Sequence, residues 1–387
     1  MSDWKAAVCR AIDERAELLR SVSKELFEHP ELKHEEVRAS RLIAQHLRDA
    51  GFEVELGVAG LSTAIRAAHP NAAVGPVVAV LAEYDALPDL GHACGHNLIA
   101  AGALGAALGL GTIKTELPGT FLFFGTPAEE GGGGKVTMVE DGQFEGVDAA
   151  MMFHPSSFTI TGWGSLAITE VKIAFRGRAA HASAWPEKGI NALDAVIQTF
   201  NGINALREHI RDGARIHGII THGGTKPNIV TEYAAAEFYV RAPQTDYRDE
   251  LLEKLRRCAE GASLATGAEL EFSLVGHAYK AMKPNRTLGK AFEGNLTSLG
   301  WSITPPPAPI MGSTDMGDVT QAVPGIHPYV AIVDTGVAEH THDFAEAAAS
   351  ERGQTAMIDA AKAMAMTAVD VLTNPELAQG IRREFAQ

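Results

Sequence analysis

Cysteine is scarce: Cys9, Cys94 and Cys258 are the only three in 387 residues. Three widely spaced thiols do not make a disulfide framework. Long apolar runs are lacking too, and no stretch reaches the roughly 18 residues that a membrane span needs. The charged opening "MSDWKAAVCRAIDERAELLR" has no basic region, apolar core and cleavage site of the kind that marks a secretory signal. Positive charge is in deficit: the formal net charge is −15, and no cluster of five or six basic residues occurs. Nucleic acid and membranes are therefore not expected as partners. There are no internal repeats. The two low-complexity stretches, "GGGG" at Gly131–Gly134 and "PPP" at Pro305–Pro307, read as local turns. These absences point to a reducing cytoplasm, with Cys94 a free thiol or thiolate.

What is present is an ordinary globular balance of 46% hydrophobic and 21% charged residues, in a chain long enough for two or three domains. The first 50 residues read as two helices, the second ending at Gly51. "FEVELG" alternates like a strand. "GPVVAVLAEYDALP", "GTFLFFGTPAEEGGGG" and "GVDAAMMFHP" are continuous apolar runs of the kind buried on both faces of a parallel sheet, with the small-residue helix Leu98–Leu110 between the first two.

From about residue 166 the character changes. Strand, helix, strand, strand, helix, strand follow within about 110 residues, the pattern of an inserted α+β domain of the split βαβ (ferredoxin-like) type. The first pattern resumes near residue 278, with a helix from Asn285, the strand "YVAIVD" and a final helix after Phe344. The expected fold is thus α/β with a mainly parallel sheet, divided as 1–165, 166–277 and 278–387.

"GHACGHN", Gly91–Asn97, sets a cysteine and a histidine two residues apart on a glycine-relaxed loop. Thiolate and imidazole suit zinc and similar divalent ions. A buried cysteine beside a core histidine would look the same. Three other strand ends tilt the reading. Glu129 and Glu130 stop one apolar strand, His154 stops another, and His340 and His342 follow "YVAIVD". In open α/β sheets, sites collect at the carboxyl ends of strands. Neighbouring residues on extended backbone point in opposite directions, so one glutamate can bind metal while the other moves a proton.

Taken together, "HPEL…EE", "EYDALPDLGHACGHN", "PAEEGGGG", "FHP", "RAAHAS", "GINALDA" and "EHTHDF" come in the order of a known family over nearly the whole chain. The chain resembles the aminoacylase/carboxypeptidase metallopeptidases, in the amidohydrolase branch of hippurate hydrolase, indole-acetyl-amino-acid hydrolase and p-aminobenzoyl-glutamate hydrolase. "GHNL" and "GSTDMGDVT" are closest to the aminobenzoyl-glutamate and β-alanyl dipeptidase-like members. The resemblance implies a dinuclear zinc-peptidase-like catalytic domain interrupted by a lid that also dimerises.

It implies two divalent ions, Zn²⁺ or Mn²⁺, held by Cys94, His96, Glu130, His154 and His340. It implies Glu129 as general base and His181 as the group that reaches a partner subunit's site and holds the substrate carbonyl oxygen. Asn228 and Arg241 match lid positions near the substrate. His342 and His92 remain alternatives as ligands. Asn97 stands where many members of the branch have Asp, and Glu83 where more distant members place a metal-binding His. Asp85 is expected to orient a ligand imidazole or cap a turn, and Asp315 to contact substrate or cap a helix.

The implied reaction is hydrolysis of the amide bond in an N-acyl amino acid or dipeptide. The alternatives are a deaminase or ureido/amidine hydrolase on the same ions, a metal-free Cys94–histidine nucleophile, and a binding protein on a retired scaffold. Retention of Glu129 beside the ligand set argues against the last.

Overall fold

The computed structural model describes residues 3–70, 74–304 and 311–387; the "PPP" turn lies outside them. The chain forms two compact units. The first draws on Met1–Gly164, Met282–Met311 and Asp315–Gln387, the second on Ser165–Ala281 and Gly312–Thr314.

The first unit opens with α1 (Asp3–Asp13), α2 (Ala16–Glu28) and α3 (Val37–Asp49). The expected single first helix is two. The chain breaks at Glu14–Arg15 without glycine or proline, so the usual punctuation is missing. Next come β1 (Glu53–Leu56), β2 (Ile65–Ala68), β3 (Val77–Ala82), α4 (His96–Gly111), β4 (Thr120–Gly125), α5 (Gly134–Glu140), β5 (Ala149–Met151) and β6 (His154–Ser156). The run "GVDAAMMFHP" was expected as one strand. It divides between two sheets, because the chain leaves the main sheet after Met151.

The second unit holds β7 (Ala167–Arg176), α6 (Ala192–Leu206), β8 (Arg215–His222), β9 (Tyr233–Ala242), α7 (Thr245–Thr266) and β10 (Glu269–Tyr279). The first unit then resumes with α8 (Arg286–Ser298), α9 (Met316–Ala322), β11 (Gly325–Ile326), β12 (Tyr329–Ala331), α10 (His342–Ala349), α11 (Glu351–Thr373) and α12 (Pro375–Phe385).

The main sheet runs β1-β2-β4-β3-β5-β11. β4, β3, β5 and β11 are mutually parallel, and β1 and β2 form an antiparallel edge. β3 and β4 each bury five of six residues, which explains their unbroken apolar sequence. α4 buries fifteen of its sixteen residues, so it is apolar all round rather than amphipathic. Its small residues permit the packing: a Cβ at Gly105 would lie 2.7 Å from Leu19 of α2 and 3.1 Å from Ala361 of α11. β12 pairs in parallel with β6 as a separate two-stranded sheet.

The second unit is an antiparallel sheet in the order β10-β7-β9-β8. Buried residues of α6 and α7, including Ala195, Val196, Leu251 and Leu255, join Val171, Ile173, Phe175 and Phe238 of the sheet in one core. This is the ferredoxin-like arrangement read from the element order.

Candidate active site

β3 runs out at Ala82, and Glu83, Tyr84 and Asp85 follow it fully buried. The chain then loops back to start α4 at His96, with Gly95 in the left-handed region at φ 77°. A Cβ at Gly95 would sit 2.8 Å from Pro155, so only glycine lets this loop close on the end of β6. The approach places Cys94 Sγ 3.4 Å from His154 Nε2. Nδ1 of His154 faces the Pro155 carbonyl at 2.6 Å, and Nδ1 of His96 faces the Asp85 carbonyl at 2.9 Å. With both Nδ1 atoms so engaged, Nε2 of each ring is left for another partner. Asp85 also accepts the Glu130 backbone N–H at 2.9 Å, which ties the end of β3 to the loop after β4.

That loop carries Glu129 and Glu130. Glu130 Oε1 stands 3.5 Å from His340 Nε2, and the His340 backbone N–H donates to the Ala93 carbonyl at 2.9 Å. Donor atoms lying within 4.8 Å of one another form the groups Cys94–His96–His154, Cys94–Glu130–His340, His96–Glu129–Glu130 and Glu83–Glu129–Asp315. Cys94 is common to the first two. Neither His92 nor His342 belongs to such a group among the described residues. His92 is buried and bonds through Nε2 to the Leu26 carbonyl at 3.1 Å, and His342 begins α10.

The donor set fits a pair of divalent cations. It combines thiol, imidazole and carboxyl groups suited to zinc or manganese. Among the described residues, His96 Nε2 and Glu130 Oε1 are buried with no hydrogen-bond partner, although buried polar atoms ordinarily have one. Bound cations would give both atoms a partner.

The electrostatics agree. Burial, and then the carboxylates of Glu130, Glu339, Glu129 and Glu83, push the Cys94 thiol well above its usual range. A thiolate there needs a positive charge beside it. Burial, followed by repulsion from Glu83, Glu130 and Asp315, raises the Glu129 carboxyl well above the ordinary range. Burial alone would lower His96, but Glu83 and Asp85 outweigh it and hold the ring well above the usual imidazole value.

Lys135, which no sequence motif marked, lies at the heart of this cluster. It is wholly buried on α5, and its ammonium donates to Glu83 and, at 2.6 Å, to Asp315 Oδ1. Asp315 precedes α9 but does not cap it with its side chain. Nothing local in the sequence marked it, because it follows four glycines that read as a turn. His327 and Tyr329 were also missed. Their rings lie 5.2 and 5.4 Å from that of His154, and both His327 nitrogens are buried without a hydrogen-bond partner. Asn97 does not support His96. Its Nδ2 donates to Ser23 Oγ at 3.0 Å and to the Ala348 carbonyl at 3.2 Å.

His181, Asn228 and Arg241 all belong to the second unit. His181 is exposed, and the Asn228 carbonyl accepts the Ala182 N–H at 3.0 Å, so these two loops run side by side. Arg241 lies near the far end of β9, with Nη1 on Ser313 Oγ at 2.9 Å. The β9 end nearest Asn228 is Tyr233. Eight steps along the strand take Tyr233 to Arg241, roughly 26 Å at about 3.3 Å per residue. The two substrate-binding candidates therefore sit at opposite ends of one sheet.

Residues 79–367 match the sequence profile described as Peptidase family M20/M25/M40. The chain belongs to that family. The M20 family hydrolyses amide and peptide bonds with metal ions, and this chain is such a hydrolase. Xaa-Arg dipeptidase of Mus musculus is 41% identical over 98% of the chain and 92% of the relative. A p-aminobenzoyl-glutamate hydrolase polypeptide of Escherichia coli is 30% identical over 98% of the chain and 95% of its own length. A Bacillus subtilis structure described as a dinuclear metal binding peptidase of the M20 family superposes with a TM-score of 0.73 at 25% identity, covering 93% of this chain and 99% of that one. Among the described residues, no helix of this M20 hydrolase is long and apolar enough to cross a membrane.

Proposed function

We propose that this M20 hydrolase cleaves the amide bond of dipeptides and N-acyl amino acids, with dipeptides ending in a basic residue favoured. The observation that carries the reading is Cys94, common to two donor groups with the acid Glu129 alongside. The likeness to an Xaa-Arg dipeptidase supports the basic side chain. So does Glu339, an exposed carboxyl group beside Ser156 that counts among the charges acting on Cys94.

Two divalent ions, Zn²⁺ or Mn²⁺, would be held by Cys94, His96 and His154 on one side and by Cys94, Glu130 and His340 on the other. When bound, such ions polarise a carbonyl and lower the pKa of water towards about 7. Glu129 takes the proton of the attacking water and returns it to the amine nitrogen as the C–N bond breaks. Its raised affinity for a proton suits a group that must hold one between those two events. His181 steadies the carbonyl oxygen as negative charge grows on it.

Residues 166–277 act as lid and dimerisation domain. The separation of Asn228 from Arg241 along β9 supports a homodimer, because one pocket can use both only if two copies contribute. Three free thiols support a cytoplasmic, reducing location.

The test is product analysis on N-acyl amino acids, Xaa-Arg dipeptides and β-alanyl dipeptides, with metal content measured alongside. Release of an amino acid from Xaa-Arg dipeptides, lost with chelator and restored by Zn²⁺ or Mn²⁺, is the expected result. Release of ammonia alone, or turnover indifferent to chelator, overturns the reading.

A further inference from the structure

We propose that Glu36 is a positioning residue for Glu129: its carboxyl group locks two left-handed backbone turns together and so fixes the direction in which the Glu129 side chain leaves the loop. The proposal rests on Glu129 as the proton carrier.

Glu36 immediately precedes α3, yet it is fully buried and its side chain does not cap that helix. Glu31 does so instead, accepting the N–H groups of Arg38 and Ala39, each at 2.9 Å. The Glu36 carboxyl is turned inward. Its Oε1 accepts the backbone N–H of His34 at 2.8 Å and that of Ala128 at 2.9 Å. Its Oε2 accepts the Thr63 hydroxyl at 2.8 Å, and the Thr63 carbonyl in turn accepts the Tyr84 hydroxyl at 2.6 Å.

The two N–H groups meeting at Oε1 belong to unusual residues. His34 has φ 67° and Ala128 has φ 59°, both in the left-handed region that side chains other than glycine rarely occupy. Such conformations persist only where surrounding structure over-determines them. Here one oxygen holds both. The two residues also converge in space: a Cβ at Gly132 would lie 2.4 Å from the Ala128 Cβ and 2.7 Å from His34 Nε2.

Ala128 directly precedes Glu129, and beyond it the loop closes on itself, with Gly132 N–H on the Ala128 carbonyl at 3.0 Å. Relaxation of Ala128 to negative φ would turn the following peptide and swing Glu129 away from the donor groups. The proton carrier is thus aimed by a carboxyl group on the helix entry of a distant segment, which itself belongs to none of the donor groups found among the described residues.

The test compares Glu36→Gln, Glu36→Met and Glu129→Gln, the first two with and without Ala128→Gly. The readouts are kcat and KM on alanyl-arginine, metal content and thermal midpoint. Glutamine keeps a carbonyl oxygen able to accept both N–H groups, so Glu36→Gln should stay within about threefold of wild-type kcat. Methionine has the same length and no such acceptor, so Glu36→Met should lose about tenfold or more in kcat, with KM changed less than about threefold and metal content intact. Glycine takes positive φ without steric cost, so Ala128→Gly should restore about threefold or more to the Met variant.

Equal losses in the Gln and Met variants overturn the proposal, as does failure of Ala128→Gly to restore activity. Wild-type kcat in Glu36→Met with Glu129→Gln inactive overturns the clamp alone. Wild-type kcat in Glu129→Gln overturns the proton-carrier reading instead. Should the Met variant not fold, a loss of about tenfold in Glu36→Gln still overturns the proposal.

Discussion

Lys135 meets the carboxylate of Asp315 twice, through its backbone N–H at 3.0 Å and through its ammonium at 2.6 Å. The same ammonium reaches Glu83, and all three side chains are buried. Removing that ammonium strips Asp315 of its cation and leaves Glu83 with only the His96 ring, 3.4 Å away. Lys135→Met should therefore cost about 3–5 kcal/mol of stability in the metal-free protein. Adding Asp315→Asn should return part of that, because one stranded charge is gone. Urea unfolding midpoints of the single and double variants read both effects. An unshifted midpoint in Lys135→Met would show that the cluster tolerates its own repulsion.

The position of Cys94 in two donor groups makes its loss different from the loss of His340. His340 belongs to one group only. After dialysis, His340→Ala should retain about one ion per chain, whereas Cys94→Ala should hold well below one, since each site loses a ligand of three. Elemental analysis measures this directly. Equal stoichiometry in the two variants would contradict a shared thiolate.

Glu129 is crowded by Glu83, Glu130 and Asp315. A neutral amide of the same shape relieves that repulsion while losing the ability to carry a proton. Glu129→Gln should keep both ions and match or exceed the wild-type thermal midpoint, while kcat falls by about 10²–10⁴-fold. A stability gain coupled to an activity loss is the signature sought, and calorimetry with steady-state kinetics provides it. Turnover near wild type would leave Glu129 without its role.

How far the site could be read in advance depended on local contrast. Glu129 and Glu130 stand out because they follow a strand buried on both faces, His154 because it closes an apolar run, and Cys94 because it stands two residues from His96 on a loop rich in glycine. Lys135 offers no such contrast: it follows four glycines that read as a turn, and its partners Glu83 and Asp315 lie 52 and 180 residues away. His327 sits between β11, only two residues long and unmarked in the sequence, and the start of the strand read in "YVAIVD". The ferredoxin-like unit was legible because its strands are long and alternate, as β7 shows. The fate of "GVDAAMMFHP" was not, since a run buried in two successive sheets has the same composition as one buried in a single sheet. Arg241 and Asn228 could be matched to positions, but the length of β9 that separates them is a property of the folded sheet.

His92 supplies a pH test separate from catalysis. Its ring is buried, Nε2 donates to the Leu26 carbonyl, and burial, with help from His96, pushes its pKa down to about 3. The unfolded chain binds the proton near the ordinary value of about 6.5, so the folded state is the poorer binder. The sign follows: stability is fully present above about pH 6.5 and is lost progressively as pH falls towards about 3, by up to about 1.4 kcal/mol per pH unit. Glutamine offers an amide N–H in place of Nε2–H but does not titrate. Urea unfolding of metal-free wild type and His92→Gln between about pH 6.5 and 4.5 should show the variant losing stability less steeply, by up to one proton's worth of slope. Parallel stability curves would mean that the folded ring takes up a proton as readily as the unfolded chain does.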